Sequence, residues 1–118
     1  MPRPRKWRMV CCEPENKLFG PLNGVQQDDQ PITMTIDEYE IIRLIDVEGL
    51  TQSECAERMM VARATIQTSY QLARTKLGQA LVNGRALLIE GGDFQLYDND
   101  QRNLYGCGRH QRNRFNRG

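Results

Sequence analysis

The chain holds a single histidine among 118 residues, and no proline beyond Pro31. No serine sits in a glycine-flanked, nucleophile-like setting. Gly91-Gly92 is not followed by the Lys-Ser/Thr or the helix start of a phosphate-cradling loop. These absences argue against catalysis, and the chain is read as a non-enzyme. No stretch approaches the roughly 18 uninterrupted apolar residues that a membrane helix needs. The basic N-terminus runs into Cys11-Cys12-Glu13-Pro14, not into an apolar segment, so it is not read as a secretory signal, and the cytoplasm is the expected location. Aromatic residues make up only 7%, which leaves Trp7 and a few rings to stack on RNA bases.

Acidic residues are missing from both ends. Residues 1–10 carry Arg3, Arg5, Lys6 and Arg8 and no acid. Residues 101–118 carry Arg102, Arg109, Arg112, Arg114 and Arg117 and no acid. All 15 acids lie between, with the other seven basic residues, so the net +1 hides a −8 middle flanked by +4 and +5 ends. Two basic ends on an acidic middle point to an anionic partner reached by the ends, arginine forks being suited to phosphate. The plainer reading is two solvated tails.

An apolar share of 39% and a charged share of 26% are those of an ordinary globular domain, and the length bounds it to one. Residues 1–34 hold every proline, and with Gly20, Gly24 and the polar run 26–30 they read as irregular. Residues 35–84 read as three helices. Thr35 with Glu38, and Thr51 with Glu54, have capping-box spacing. Ile36, Tyr39, Ile42 and Ile45 give the first apolar stripe, ended by Gly49. Cys55, Ala56 and Met59 give the second. Ile66, Tyr70, Ala73, Leu77 and Ala80 give the third, which fades at Asn83-Gly84. In residues 85–98, two short apolar runs around Gly91-Gly92 predict a β-hairpin. Residues 99–118, rich in Asn, Arg, Gln and Gly, read as a disordered basic tail. The expected fold is mainly α: a three-helix helix-turn-helix core, a small C-terminal β-hairpin, and irregular basic N- and C-terminal segments.

The spacing within 51–70 carries the functional expectation. A DNA-binding helix-turn-helix needs a small residue midway along its first helix, apolar residues at the turn, and an apolar lock in its second helix. Ala56, Met59, Val61 and Ile66 fall at those offsets, while Glu57 and Arg58 fall at exposed ones. An ordinary helical hairpin shares the apolar spacing. The outward row of the second helix separates the two readings. Arg63, Ala64, Thr65, Gln67, Thr68, Gln71 and Arg74 include no acid, although acids abound on the preceding helices. Such side chains donate to base edges and phosphates or pack on a thymine methyl. The turn position before Val61 commonly has positive φ. Met60 there either costs on the order of 1 kcal/mol or forces another turn geometry.

From Pro2 to about Tyr97 the chain resembles the small prokaryotic proteins grouped as domain of unknown function 134. The resemblance is carried by Pro2-Arg3-Pro4-Arg5-Lys6, Cys11-Cys12, Phe19-Gly20-Pro21 and Ile32-Thr33-Met34-Thr35. It continues through Asp37-Glu38-Tyr39-Glu40, Ile42-Arg43-Leu44-Ile45-Asp46, Glu48-Gly49-Leu50-Thr51-Gln52, Val61-Ala62-Arg63, Ala80-Leu81-Val82-Asn83-Gly84 and Ile89-Glu90-Gly91-Gly92. It implies a helix-turn-helix similar to that of sigma-factor region four and a DNA-binding protein. This chain departs at Trp7, Met60 and Thr68, where similar proteins often carry Cys, Gly and Arg.

The expected function is therefore sequence-specific binding of double-stranded DNA by a transcriptional regulator. Residues 63–71 enter the major groove, and Arg3, Arg5 and Lys6 form a minor-groove arm. A homodimer is expected, with the hairpin edges offering the pairing surface. The alternative is a protein-interaction module, polymerase-contacting for example, that uses exposed Asp37, Glu40, Asp46 and Glu48. Cys11, Cys12, Cys107 and His110 form the one constellation with metal-ligand character, Cys107 and His110 being a C-x-x-H pair. Zinc is the metal this set admits, which would make the regulator metal- or redox-responsive. No other cofactor is expected, and a membrane partner is not. Operator, effector and the sign of regulation are not legible.

Overall fold

Thr35 and Glu38 close the start of the first helix on each other: the Glu38 amide donates to Thr35 Oγ1 at 3.3 Å, and the Thr35 amide donates to Glu38 Oε1 at 2.9 Å. A computed structural model describes residues 7–23 and 30–105. In chain order these form β1 (Arg8–Val10), β2 (Leu18–Phe19), β3 (Ile32–Met34), α1 (Ile36–Ile42), α2 (Gln52–Met59), α3 (Arg63–Asn83), β4 (Leu87–Ile89), β5 (Phe94–Leu96) and α4 (Asn99–Tyr105). α1 passes directly into a π-helical stretch, Arg43–Val47, in which the Glu48 amide reaches back to the Arg43 carbonyl. Gly49 follows with φ +81. The fold is mainly α.

The second capping box is also formed, Thr51 with Glu54. A third, Asp98 with Gln101, starts α4: each amide donates to the other's side chain at 2.9 Å. Residues 99–105 are therefore helical, not the disordered start of a tail. Their composition hid a cap signal that Asp98-x-x-Gln101 carries.

The hairpin expected in 85–98 does not form. Strands occur at the two apolar runs, but they belong to different sheets. β4 is the centre of a three-stranded sheet, antiparallel to β2 and parallel to β3. β5 pairs in parallel with β1. The partners thus come from the segment read as irregular. Strands of two or three residues are too short to show a period-2 alternation. Gly91 and Gly92 do take positive φ, +76 and +99, yet they carry the chain over the start of α1 instead of folding it back. The Gly91 carbonyl accepts from the Ile36 amide at 3.0 Å. A Cβ at Gly92 would lie 2.4 Å from Asp37 Oδ1 and 2.7 Å from Thr35 Cβ, so only glycine fits this approach.

Core side chains come from every layer: Val10, Met34, Ile41, Leu44, Met59, Ile66 and Ile89 are all buried. Cys55, Ala56 and Met59 line the inner face of α2 as expected. The α1 stripe is shifted. Ile36, Ile41 and Leu44 are fully buried, while Tyr39, Ile42 and Ile45 pack at the core's edge. On α3, Ile66, Ser69 and Ala73 are buried, with Tyr70, Leu77 and Ala80 at the margin.

Candidate nucleic-acid interface

α2 and α3 are joined by only Met60, Val61 and Ala62. Met60 takes the left-handed conformation, φ 59 and ψ 44, and its amide donates to the Glu57 carbonyl. The Val61 amide bonds the Ala56 carbonyl at 3.1 Å. Of the two outcomes open for this turn, the chain takes the strained one. Ala56, Met59 and Ile66 are buried and Val61 packs against them, so the four apolar offsets meet where the two helices cross. Arg58 is half-buried, not fully outward: its guanidinium lies 5.0 Å from the Tyr105 ring centroid, and its carbonyl accepts from Tyr97 Oη at 3.0 Å.

α3 runs for 21 residues without one Asp or Glu. Arg63, Ala64, Gln67, Thr68, Gln71 and Arg74 are exposed, and Thr65 is half-buried. Ala62 caps this helix and has no side chain with which to accept an amide; its carbonyl takes the Thr65 and Ile66 amides, and the first turn has no side-chain cap. Gln52 of α2 joins Gln67, Tyr70, Gln71, Arg74 and Thr75 around a shallow polar depression. Gln52 and Thr75 were not singled out from the sequence. Outward spacing of i, i+4, i+8 from Gln67 would have found Thr75; Gln52 meets it only through the crossing of the helices.

The acids between residues 37 and 48 are engaged within the chain. Tyr70 Oη donates to Asp46 Oδ1 at 2.7 Å, and Arg74 Nε lies 3.9 Å from the same carboxylate. The bond to Asp46 raises the Tyr70 hydroxyl above its ordinary pKa, keeping it protonated as the donor. Glu40 is fully buried. It accepts from the Cys11 amide at 3.1 Å and from Arg43 Nε and Nη2 at 2.8 Å each. Arg43 also pairs with Glu48. Burial works against the Arg43 charge, but the hydrogen bonds and charge of Glu40, with Glu48 behind them, outweigh it and raise its pKa further. Lys76 Nζ lies 2.7 Å from Glu38 Oε1. Asp37 pairs with Arg8. So Asp37 and Glu40 are buried and Glu48 is half-buried. Of the four acids proposed for a protein partner, only Asp46 is exposed, and the acidic surface on which that alternative rested is absent.

Arg8 is not a free basic residue of the N-terminal arm, because Asp37 and Ser69 hold it. Arg3, Arg5 and Lys6 lie outside the described residues, as do Cys107 and His110. Cys11 is fully buried and Cys12 half-buried. Among the described residues no group of three or more His, Cys, Asp or Glu side chains could hold a metal ion. Cys55 is buried behind Glu40, and burial first, then that carboxylate, pushes its thiol up to about 12, which makes it an inert core residue. No described helix is long and apolar enough to cross a membrane.

Comparison with known proteins gives the chain its relatives. It is 58% identical over 98 residues to a UPF0251 protein of Desulfitobacterium hafniense strain Y51, covering 83% of this chain and 78% of that one. It is 44% identical over 117 residues to a UPF0251 protein of Thermoanaerobacter pseudethanolicus, covering 99% of this chain and 98% of the relative. A UPF0251 protein of Caldanaerobacter subterraneus subsp. tengcongensis is 42% identical, with 98% of each chain covered. No solved structure gives a significant match. The family described as Protein of unknown function DUF134 matches residues 1–97, and the chain belongs to that family.

Proposed function

We propose that this protein binds double-stranded DNA as a transcriptional regulator, with α2 and α3 acting as a helix-turn-helix and α3 entering the major groove. The observation that carries the reading is the bare, acid-free row Arg63, Ala64, Gln67, Thr68 and Gln71 on α3. A groove wall of phosphates repels carboxylates, and Asp46, Glu38 and Glu40 lie in ion pairs with Arg74, Lys76 and Arg43. Gln and Arg supply the bidentate donors that distinguish bases, and the uncapped N-terminus of α3 suits a backbone phosphate. In this reading Arg3, Arg5 and Lys6 supply the contacts to the minor groove. Arg74 exchanges Asp46 for a phosphate.

Fluorescence anisotropy on labelled random duplexes tests it. Expected is binding whose log affinity falls linearly with log salt, followed by recovery of one preferred site from a random pool. No binding to any duplex at about 50 mM salt, where nonspecific contacts are strongest, would overturn it.

A further inference from the structure

Gly78 sits inside α3 with nothing within 4 Å of where a Cβ would be. Glycine inside a helix weakens it, and here none of the described residues needs the space. Its neighbours on that face are Leu81 and Val82, exposed by 83% and 81%. Beside them β2 and the following turn present Phe19 and Leu22, exposed by 48% and 105%. Below these residues a cavity of about 470 Å³ opens between α1, α3 and the three-stranded sheet, walled by Tyr39, Ile42, Leu77 and Leu87. From Leu77 to Asn83, α3 carries no charge; the cation at the cavity's rim is Arg85, whose Nε donates to the Gln30 carbonyl at 3.1 Å.

We infer that this face is where a second copy of the chain docks, C-terminal half of α3 against C-terminal half of α3. A two-fold contact must bring one patch against itself, so the patch must carry both a projection and a recess. Leu22 projects, and the cavity beside Pro21 receives. A charged helix would repel its own copy, whereas α3 brings no charge between Leu77 and Asn83 and Arg85 at the rim is held by the Gln30 carbonyl, and Gly78 lets the two helix backbones approach closely. The exposed apolar side chains amount to on the order of 600 Å², near the roughly 800 Å² that each partner contributes to a standard interface. A small ligand filling the cavity would leave Leu22, Leu81 and Val82 in water, which is why the second copy is the occupant that fits.

The geometry also suits the proposed duplex reading, on which this one clause rests. Gln67 and Leu81 are separated by about 21 Å of helix at roughly 1.5 Å per residue. Two copies meeting near Leu81 at an angle therefore place their Gln67 turns up to about 42 Å apart, a range that includes the ~34 Å between successive major-groove faces.

Sedimentation equilibrium of the full chain from about 1 to 100 µM is the test. Expected is a mass approaching twice the 13.6 kDa of the chain, with Leu81→Glu and Val82→Glu each weakening association at least tenfold and leaving the far-ultraviolet circular dichroism unchanged. Gly78→Leu separates the docking role from a folding role. It should strengthen the isolated helix yet weaken association by a similar factor. A wild-type chain that stays monomeric throughout overturns the inference, including one that takes up an apolar dye in the cavity. So does a Leu81→Glu/Val82→Glu chain that associates like wild type. A dimer that binds no duplex keeps this surface and removes the DNA reading; a monomer that binds duplex does the reverse.

Discussion

Arg8 Nη1 bonds the Asp37 carboxylate on α1 and, at 3.1 Å, the Ser69 hydroxyl on α3. One guanidinium thus joins β1 to both helices. The Asp37 side chain is only 5% exposed, so it depends on this partner. Arg8→Met should cost about 2–4 kcal/mol, because it strands a buried carboxylate, and Arg8→Met/Asp37→Asn should recover part of that loss. Urea denaturation checks both. A single substitution costing under about 0.5 kcal/mol would show the pair to be a surface contact of no consequence.

Met60→Gly should raise stability by about 1 kcal/mol, since it removes the left-handed penalty from a half-exposed side chain. Met60→Val should lower it. Thermal melting distinguishes the two. Equal melting temperatures would mean that the turn relaxes around either residue.

Gly91 and Gly92 both have positive φ but differ in what surrounds them. A Cβ at Gly91 meets nothing within 4 Å, whereas one at Gly92 meets Asp37 and Thr35. Gly91→Ala should cost about 1 kcal/mol and Gly92→Ala at least twice that, measured by chemical denaturation.

Cys55 ties stability to alkaline pH. The unfolded thiol ionises near 9.0 and the folded one at about 12. Above pH 9 the unfolded state therefore releases its proton first. Stability is full below pH 9 and falls as pH rises toward 12. Tyr97, raised by burial and by Glu40, adds to the same decline at higher pH. Melting temperatures across this range should fall less steeply for Cys55→Ala than for wild type. Identical slopes would remove Cys55 from the account.

On α3, Arg63→Ala, Gln67→Ala and Gln71→Ala should each weaken binding to a selected duplex by about 1–3 kcal/mol while leaving the melting temperature within a degree or two. Arg74→Ala should lower affinity for all sequences alike and reduce the salt slope by about one. Anisotropy titrations with selected and scrambled duplexes separate the two patterns.

Much of the helical frame was written locally. Thr35-x-x-Glu38 and Thr51-x-x-Glu54 mark helix starts within four residues, and Ala56, Met59 and Ile66 mark the crossing by spacing alone. The sheets were not legible, because Arg8–Val10 and Leu18–Phe19 become strands only through partners that lie beyond Ala86. The same holds for the acids. Asp37, Glu38 and Glu40 look like an exposed acidic start to a helix, and only the distant Arg8 and Lys76, with the Cys11 amide on Glu40, show that they are buried. Arg63, Gln67 and Gln71 were legible as an outward row because exposure on one helix follows from its own period. Gln52 required the crossing angle.

The pairing of β1 with β5 sets Arg8 opposite Phe94, so during synthesis β1 has no mate until β5 has been made. At roughly 5–20 residues per second, that edge waits several seconds. That pairing is a long-range step that local helix formation does not hasten.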